Sequence, residues 1–165
     1  MKKYFYLMGL MLCMVFGSMA FVACDDDDDD DAAPDTSITA NQILGCWYGI
    51  DENTSERVGA FVVKLQDGGR GVYAEYKARA KHDWEPEGAE VEIEWQLTNG
   101  TLTMTCERNG EVMERKADLL KLSGNKMNIR RYLEEGQTDQ MTIERCESLQ
   151  AAEDIFWDLL EEKFD

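Results

Sequence analysis

The chain has 165 residues, with 34 Asp and Glu against 17 Lys and Arg, a formal net charge of −17 and a single histidine. A chain this acidic does not hold nucleic acid through its phosphates, and one histidine excludes a metal centre built from clustered imidazoles. The length allows one folded domain with a short appendage and is too small for two.

Residues 1–23 read as an export leader. Lys2 and Lys3 form a basic start, Tyr4 to Val15 an apolar stretch, and Gly17, Ser18, Ala20 and Ala23 supply the small residues that precede a cleavage site. The leader ends in Phe21-Val22-Ala23-Cys24, and seven aspartates, Asp25 to Asp31, follow. This arrangement resembles a bacterial lipoprotein signal, in which cleavage falls before the cysteine and the cysteine is lipidated, although Phe21 stands where that box usually has Leu. Acidic residues directly after the cysteine resemble the surface-export signal of Bacteroidota lipoproteins. The resemblance implies lipidation at Cys24 and a partner membrane, the outer membrane, with the domain exposed at the cell surface. Several acyl chains, palmitate among them, hold a protein stably where one does so only marginally. The alternative is an ordinary secreted protein cut nearby. No later stretch reaches the ~20 apolar residues of a membrane span.

Removal of the leader takes away two lysines and no acid, which moves the formal charge from −17 to −19. The aspartate run repels itself and stays extended, a spacer as well as a sorting signal. The expected organisation is a signal peptide over 1–23, a lipidated cysteine and acidic tether over 24–37, and one folded domain over 38–165. Cys46, Cys106 and Cys146 remain after lipidation, so at most one internal disulfide can form in a compartment that permits it.

From Ile43 to Cys146 the sequence predicts short strands separated by turns. Asp67-Gly68, Asn99-Gly100, Asn109-Gly110, Gly124-Asn125 and Glu135-Gly136 are residue pairs that tight hairpins favour. The eight strands fall at about 43–50, 58–66, 71–80, 90–98, 101–108, 111–122, 126–134 and 138–146. Alternation is plainest in Val91, Ile93, Trp95 and Leu97 against Glu90, Glu92, Glu94 and Gln96, one face buried and one wet. On the third strand, Val72, Ala74, Tyr76 and Ala78 read as inward, against Tyr73, Glu75, Lys77 and Arg79. The fold class is all-β, an eight-stranded antiparallel up-and-down meander, and closure into a barrel removes every unpaired edge. A half-open barrel or a two-sheet sandwich is the alternative. Ser148 to Phe164 changes to helical period, with Ser148 as N-cap and Leu149, Ala152, Ile155, Phe156, Leu159 and Leu160 on one side, suited to packing on the barrel's outer wall.

Gly45-Cys46-Trp47, at the start of the first strand, resembles the Gly-x-Trp signature of lipocalins and the wider calycin group. The resemblance covers about Ile43 to the C-terminal helix. It implies a Trp at the closed base of the barrel with an Arg from the last strand packed across it. Arg145 shares the parity of Met141 and Ile143, and antiparallel closure brings it beside Trp47. The middle Thr-Asp-Tyr motif of the family has no counterpart, since Thr138-Asp139-Gln140 precedes only the last strand. The resemblance further implies a small apolar ligand in the barrel mouth.

Phe61, Val63, Leu65, Tyr76, Ile93, Trp95, Leu97, Met104, Met127, Ile129 and Ile143 are bulky enough to fill most of such an interior, whereas Ala74, Ala78 and Ala80 leave room. Tyr76, Trp95 and Arg131 are the candidate pocket residues. A buried arginine needs an anionic partner, either a ligand carboxylate or an acidic side chain of the barrel. Cys46 and Cys146 share the outward parity of the first and last strands, placed to form a disulfide or to pack as thiols beneath the helix.

Catalysis is not expected. His82, in the loop Lys81 to Ala89, has no serine or cysteine nucleophile motif to serve. Glu90, Glu92 and Glu94 stand along one wet face, and no phosphate-cradling glycine loop is present. No cofactor is implied. The function these features favour is non-catalytic binding of a small apolar or amphipathic molecule by a surface-anchored lipoprotein. The alternatives are a protein-interaction or envelope-structural module with Trp84 in its contact loop, and a glycan-binding accessory protein using Trp84 and Tyr73 as platforms.

Overall fold

The computed structural model describes residues 32–53, 58–78, 85–86, 90–108, 110–133 and 136–164. Cys24, the aspartate run, Ala80, His82 and Trp84 lie outside them.

Among the described residues, each two-residue hairpin places a positive-φ residue at its turn, which is why the strands return on themselves so tightly. Asn99 (φ 52°) and Gly100 (φ 80°) give the paired left-handed conformation whose twist matches the flanking strands. The elements are α1 (Ala40–Ile43), β1 (Gly45–Asn53), β2 (Val58–Gln66), β3 (Arg70–Ala78), β4 (Glu85–Pro86), β5 (Val91–Thr98), β6 (Thr101–Arg108), β7 (Glu111–Ser123), β8 (Lys126–Tyr132), β9 (Thr138–Cys146) and α2 (Leu149–Phe164). Apart from β4, neighbours in the chain are neighbours in the sheet. β1 also pairs with β9, so β1, β2, β3 and β5 to β9 close into an eight-stranded antiparallel barrel. β4 is a two-residue ribbon along the end of β3.

The barrel has a closed and an open end. At the closed end lie the β2–β3, β5–β6 and β7–β8 turns, with α1 beneath them. Thr39 precedes α1, and its N–H and hydroxyl both donate to Gln42 Oε1, at 2.7 and 2.8 Å. Ile43 is fully buried there. Packing begins earlier than the expected boundary at residue 38. The Asp35 N–H donates to the Leu119 carbonyl at 2.7 Å, and its carboxylate accepts from the Ser37 N–H and hydroxyl, which folds this part of the tether onto the base.

The interior holds Trp47, Phe61, Val63, Leu65, Ile93, Trp95, Leu102, Leu119, Met127, Ile129 and Ile143. Outside the barrel, α2 lies across β2 and β1. Ser148 Oγ accepts from the Ala151 N–H at 3.0 Å and caps the helix. Ala152, Phe156 and Leu160 are fully buried against Ala60, Val62 and Val58, and each of the two larger side chains contributes about 1.5–3 kcal/mol by leaving water. Ile155 and Trp157 turn outward and remain exposed.

One parity expected from the sequence is reversed. Ala74, Tyr76 and Ala78 do not enter the barrel; they pack outside, beneath α2, where the Tyr76 ring meets Phe156 at 5.3 Å. Tyr73 and Glu75 point inward instead. The physical reason is that α2 buries the outer face of β2 and β3 as thoroughly as the core buries the inner one. An apolar row therefore does not tell inside from outside on these two strands.

Candidate functional site

At the base, Gly45 and Trp47 of the Gly-x-Trp stretch and Arg145 from the far end of the chain form a single unit. Trp47 is fully buried and its indole N–H donates to the Ile43 carbonyl at 2.8 Å. Arg145, its register partner on β9, lies with its guanidinium 4.3 Å from the centre of the indole. The same guanidinium donates to the Leu44 and Gln42 carbonyls, both at 2.6 Å, which have no partner within so short a helix as α1. Gly45 has φ 120°, and a Cβ there would stand 2.6 Å from Arg145 Nη1. The glycine is required by that close approach and by the backbone angle together. This unit fills the barrel at that end and ties β1 to β9.

The open end is built differently. Four side chains run in series across it: the Arg115 guanidinium lies 5.3 Å from the Tyr73 ring, Tyr73 stacks on Phe61 at 6.0 Å and 27°, and the Arg131 guanidinium lies 5.7 Å from the Phe61 ring. Gly49 makes room for this row, since a Cβ there would meet Phe61 at 2.8 Å and Met141 at 2.7 Å. Three carboxylates neutralise the two cations. Glu75 pairs with Arg115 at 2.6 Å and accepts the Tyr73 hydroxyl at 2.7 Å. Asp51 and Asp139 both pair with Arg131, whose Nε lies 2.9 Å from Asp139 Oδ1. Burial pushes the Tyr73 phenol well above its ordinary range. Burial pulls the Arg131 guanidinium down, but its bonds to Asp139 and Asp51 outweigh that and leave it raised and charged.

Two cavities flank this row. One, of about 70 Å³, lies among Tyr73, Glu75, Ile93, Cys106 and Met113. The other, of about 60 Å³, lies among Phe61, Leu119, Ile129, Arg131 and Leu133. Met104 and Arg115 line both, so the Arg115 side chain stands as a partition between them. Each has space for several water molecules. Met113 and Leu133, on the rim, are 36% and 42% exposed.

Of the three pocket residues expected from the sequence, Arg131 alone lines a cavity, and it carries two acidic partners from the barrel itself. Tyr76 is on the outer wall, its hydroxyl 2.9 Å from Glu153 of α2. Trp95 is inside but low, and its indole N–H is shared by the Arg70 and Gln66 carbonyls at 2.8 and 3.1 Å, which ties it to the β2–β3 turn. Tyr73, expected as a surface platform, is instead part of the inner row. Glu90, Glu92 and Glu94 are exposed. Cys46 and Cys146 are register partners beneath α2, and Cys106 lines the cavity beside Tyr73. Among the described residues, no group of three His, Cys, Asp or Glu side chains is placed to hold a metal.

Arg115, Asp51 and Asp139 were not singled out as site residues by sequence reasoning, and Tyr73 was assigned to the wrong face. Hairpin counting carries the signal for Asp139: Met127 faces Ile143 and Ile129 faces Met141, so Arg131 faces Asp139. The bulge between Ile50 and Glu52 that accompanies Asp51 leaves no such trace.

Fold and site together define a closed up-and-down antiparallel barrel with a filled base, a polar–aromatic row across its mouth and a helix on its wall. No protein-family model matches the chain, and no curated protein matches it at a significant level.

Proposed function

We propose that this protein is a lipocalin-like lipoprotein, anchored through Cys24 at the outer membrane surface, that holds a small apolar or amphipathic molecule in its barrel mouth without chemical change. The observation that carries the reading is the pair of neighbouring cavities sharing Met104 and Arg115 beneath a half-exposed apolar rim. A monomer leaves such a rim open where something apolar visits it. The occupant is slender, because each cavity is small and the lower barrel is filled by Trp47, Leu65 and Met127.

Placement of the anchor agrees with access. The described chain enters at the base, where Asp35 bonds Leu119, so an anchor on Cys24 is joined to the end of the barrel opposite the mouth. Arg131 is already neutralised by Asp51 and Asp139, and a ligand carboxylate is not needed to satisfy it. The filled lower barrel also favours a second reading, in which the barrel is only a scaffold for a protein or glycan partner.

Native mass spectrometry of the protein purified from cell lysate, before and after solvent extraction, separates the two. An extractable mass of a few hundred daltons supports the binding reading. A bare polypeptide under both conditions, with no uptake of an apolar dye, refutes it in favour of the scaffold. Metabolic labelling with a palmitate analogue, lost on Cys24→Ala, tests the anchor separately.

A further inference from the structure

The barrel is closed by its shortest ladder. β1 runs along β9 only from Cys46 to Tyr48, against Glu144 to Cys146, whereas β1 follows β2 over nearly its whole length. The outermost register pair of that seam is Cys46 with Cys146. Directly opposed residues in an antiparallel pair have Cα atoms about 4.5–5.5 Å apart, within the range a disulfide spans. Both are free thiols in this structure. Both lie under α2, in the cluster with Ala152, Phe156 and Tyr48, away from Cys106 inside the barrel.

We infer that Cys46 and Cys146 are a disulfide site that staples the seam of the barrel once the chain reaches an oxidising compartment. This rests on the export reading for its oxidant, and on the register alone for its geometry. The oxidant is a disulfide of a thiol oxidoreductase or of glutathione. A thiolate of one cysteine attacks that disulfide, forms a mixed disulfide and releases the first thiolate. The second cysteine then attacks the sulfur of the first, the intramolecular bond forms and the second thiolate leaves. The pair loses two electrons and two protons, and the oxidant is reduced to two thiols.

The helix decides the timing. With α2 docked, Ala152 and Phe156 pack against both cysteines and keep an external disulfide or thiol from them, and burial pushes the Cys146 thiol up to about 12, which disfavours its thiolate. The bond therefore forms before α2 covers the seam and is shielded afterwards. A cross-link here encloses almost the whole barrel within one covalent loop, the case in which restriction of the unfolded chain is largest.

The test starts from the full chain made under reducing conditions, treated with oxidised glutathione in urea just below the unfolding transition so that α2 opens. Peptide mapping without reductant is expected to show Cys46 linked to Cys146, lighter by two hydrogens. The linked protein is expected to melt about 10 °C above its reduced form, a difference that Cys46→Ala abolishes. Persistence of both thiols under these conditions, or linkage through Cys106 instead, overturns the inference. Mapping of protein alkylated directly in cells addresses export by itself. A linked pair there supports both, while free thiols in a chain that links in the test tube refute the oxidising compartment and leave the site standing.

Discussion

Replacing Arg145 by alanine tests whether the base unit is what closes the barrel. The substitution removes a guanidinium stacked on a fully buried indole, worth about 1–2 kcal/mol. It also removes two charge-assisted hydrogen bonds to the carbonyls of Leu44 and Gln42, each worth about 1.5–3 kcal/mol. Water replaces part of this at the rim of the base, and the expected net loss is about 3 kcal/mol. Lysine keeps the charge but cannot fork across two carbonyls while lying flat on the ring, so Arg145→Lys is expected to lose about half as much. Urea unfolding followed by Trp fluorescence reads both. With a slope of ~2 kcal/mol per molar, the midpoint falls by about 1.5 M for alanine and half that for lysine, at unchanged slope. A lysine variant as stable as the wild type, or an alanine variant within ~0.5 kcal/mol of it, would refute the reasoning and make Arg145 an incidental neighbour of Trp47.

Gly45→Ala is expected to cost about 2–3 kcal/mol through its positive φ and its collision with Arg145; in an Arg145→Ala background only the backbone part remains, and a double-mutant cycle with no coupling would refute the shared-space argument. Asp118 is 2% exposed and accepts from Thr101, Arg130 and Tyr132 at 2.7–2.8 Å. Burial pushes its carboxyl up, but these donors hold it below the ordinary range, so its stabilisation is present above the unfolded pKa near 4 and is lost as pH falls through the folded value. Asp118→Asn is expected to cost about 3 kcal/mol at pH 7 and to flatten the acid limb of the stability curve; an unchanged limb excludes this carboxylate as its cause. Tyr48, Tyr73 and Tyr76 are raised chiefly by burial, and Tyr132 chiefly by its bond to Asp118. Their stabilisation is present below the unfolded pKa near 10 and lost above it, so phenolate absorbance is expected to rise together with loss of circular dichroism; ionisation near pH 10 without unfolding would contradict it. In the mouth, Arg115→Met is expected to raise apolar-dye binding with little loss of stability, because the pair with Glu75 is half exposed, whereas Arg131→Met, which strands two carboxylates, is expected to cost about 3 kcal/mol; equal effects on both readouts would collapse the distinction.

The barrel was legible because its turns were. Each positive-φ pair marks a hairpin, and hairpins in series leave few ways to close a sheet. Cys46 against Cys146 followed from their shared outward parity at the meeting ends of β1 and β9, and Trp47 against Arg145 from the lipocalin resemblance together with the inward parity of Arg145. What failed was parity on β3. Tyr73 and Tyr76 are both aromatic and both bury, one in the barrel and one under α2, and hydropathy carries no label for which shelter is which. Arg115 was hidden for a related reason: Val112-Met113 and Leu119-Leu120 are contiguous apolar pairs on β7, and a register shift lies between Leu119 and Lys121, so no alternation survives to show that Arg115 shares the inward side with Ala117.

The two arginines of the mouth show how the same residue type serves two ends. Arg131 sits between strands whose register delivers Asp139 directly opposite and a bulge that accompanies Asp51. Removing it would leave two carboxylates facing each other over an aromatic ring, so it is held in place by the cost of its absence. Among the described residues Arg115 has one carboxylate partner, Glu75, at a half-exposed position, and the attraction there is weak enough for solvent to replace. If anything enters the barrel, Arg115 is the side chain whose displacement opens the way at least cost, and its movement joins two spaces that are each too small for more than a fragment of a ligand. Trp47 and Ile43 are fully buried at the base, so a displacement of Arg115 frees space at the mouth and not there.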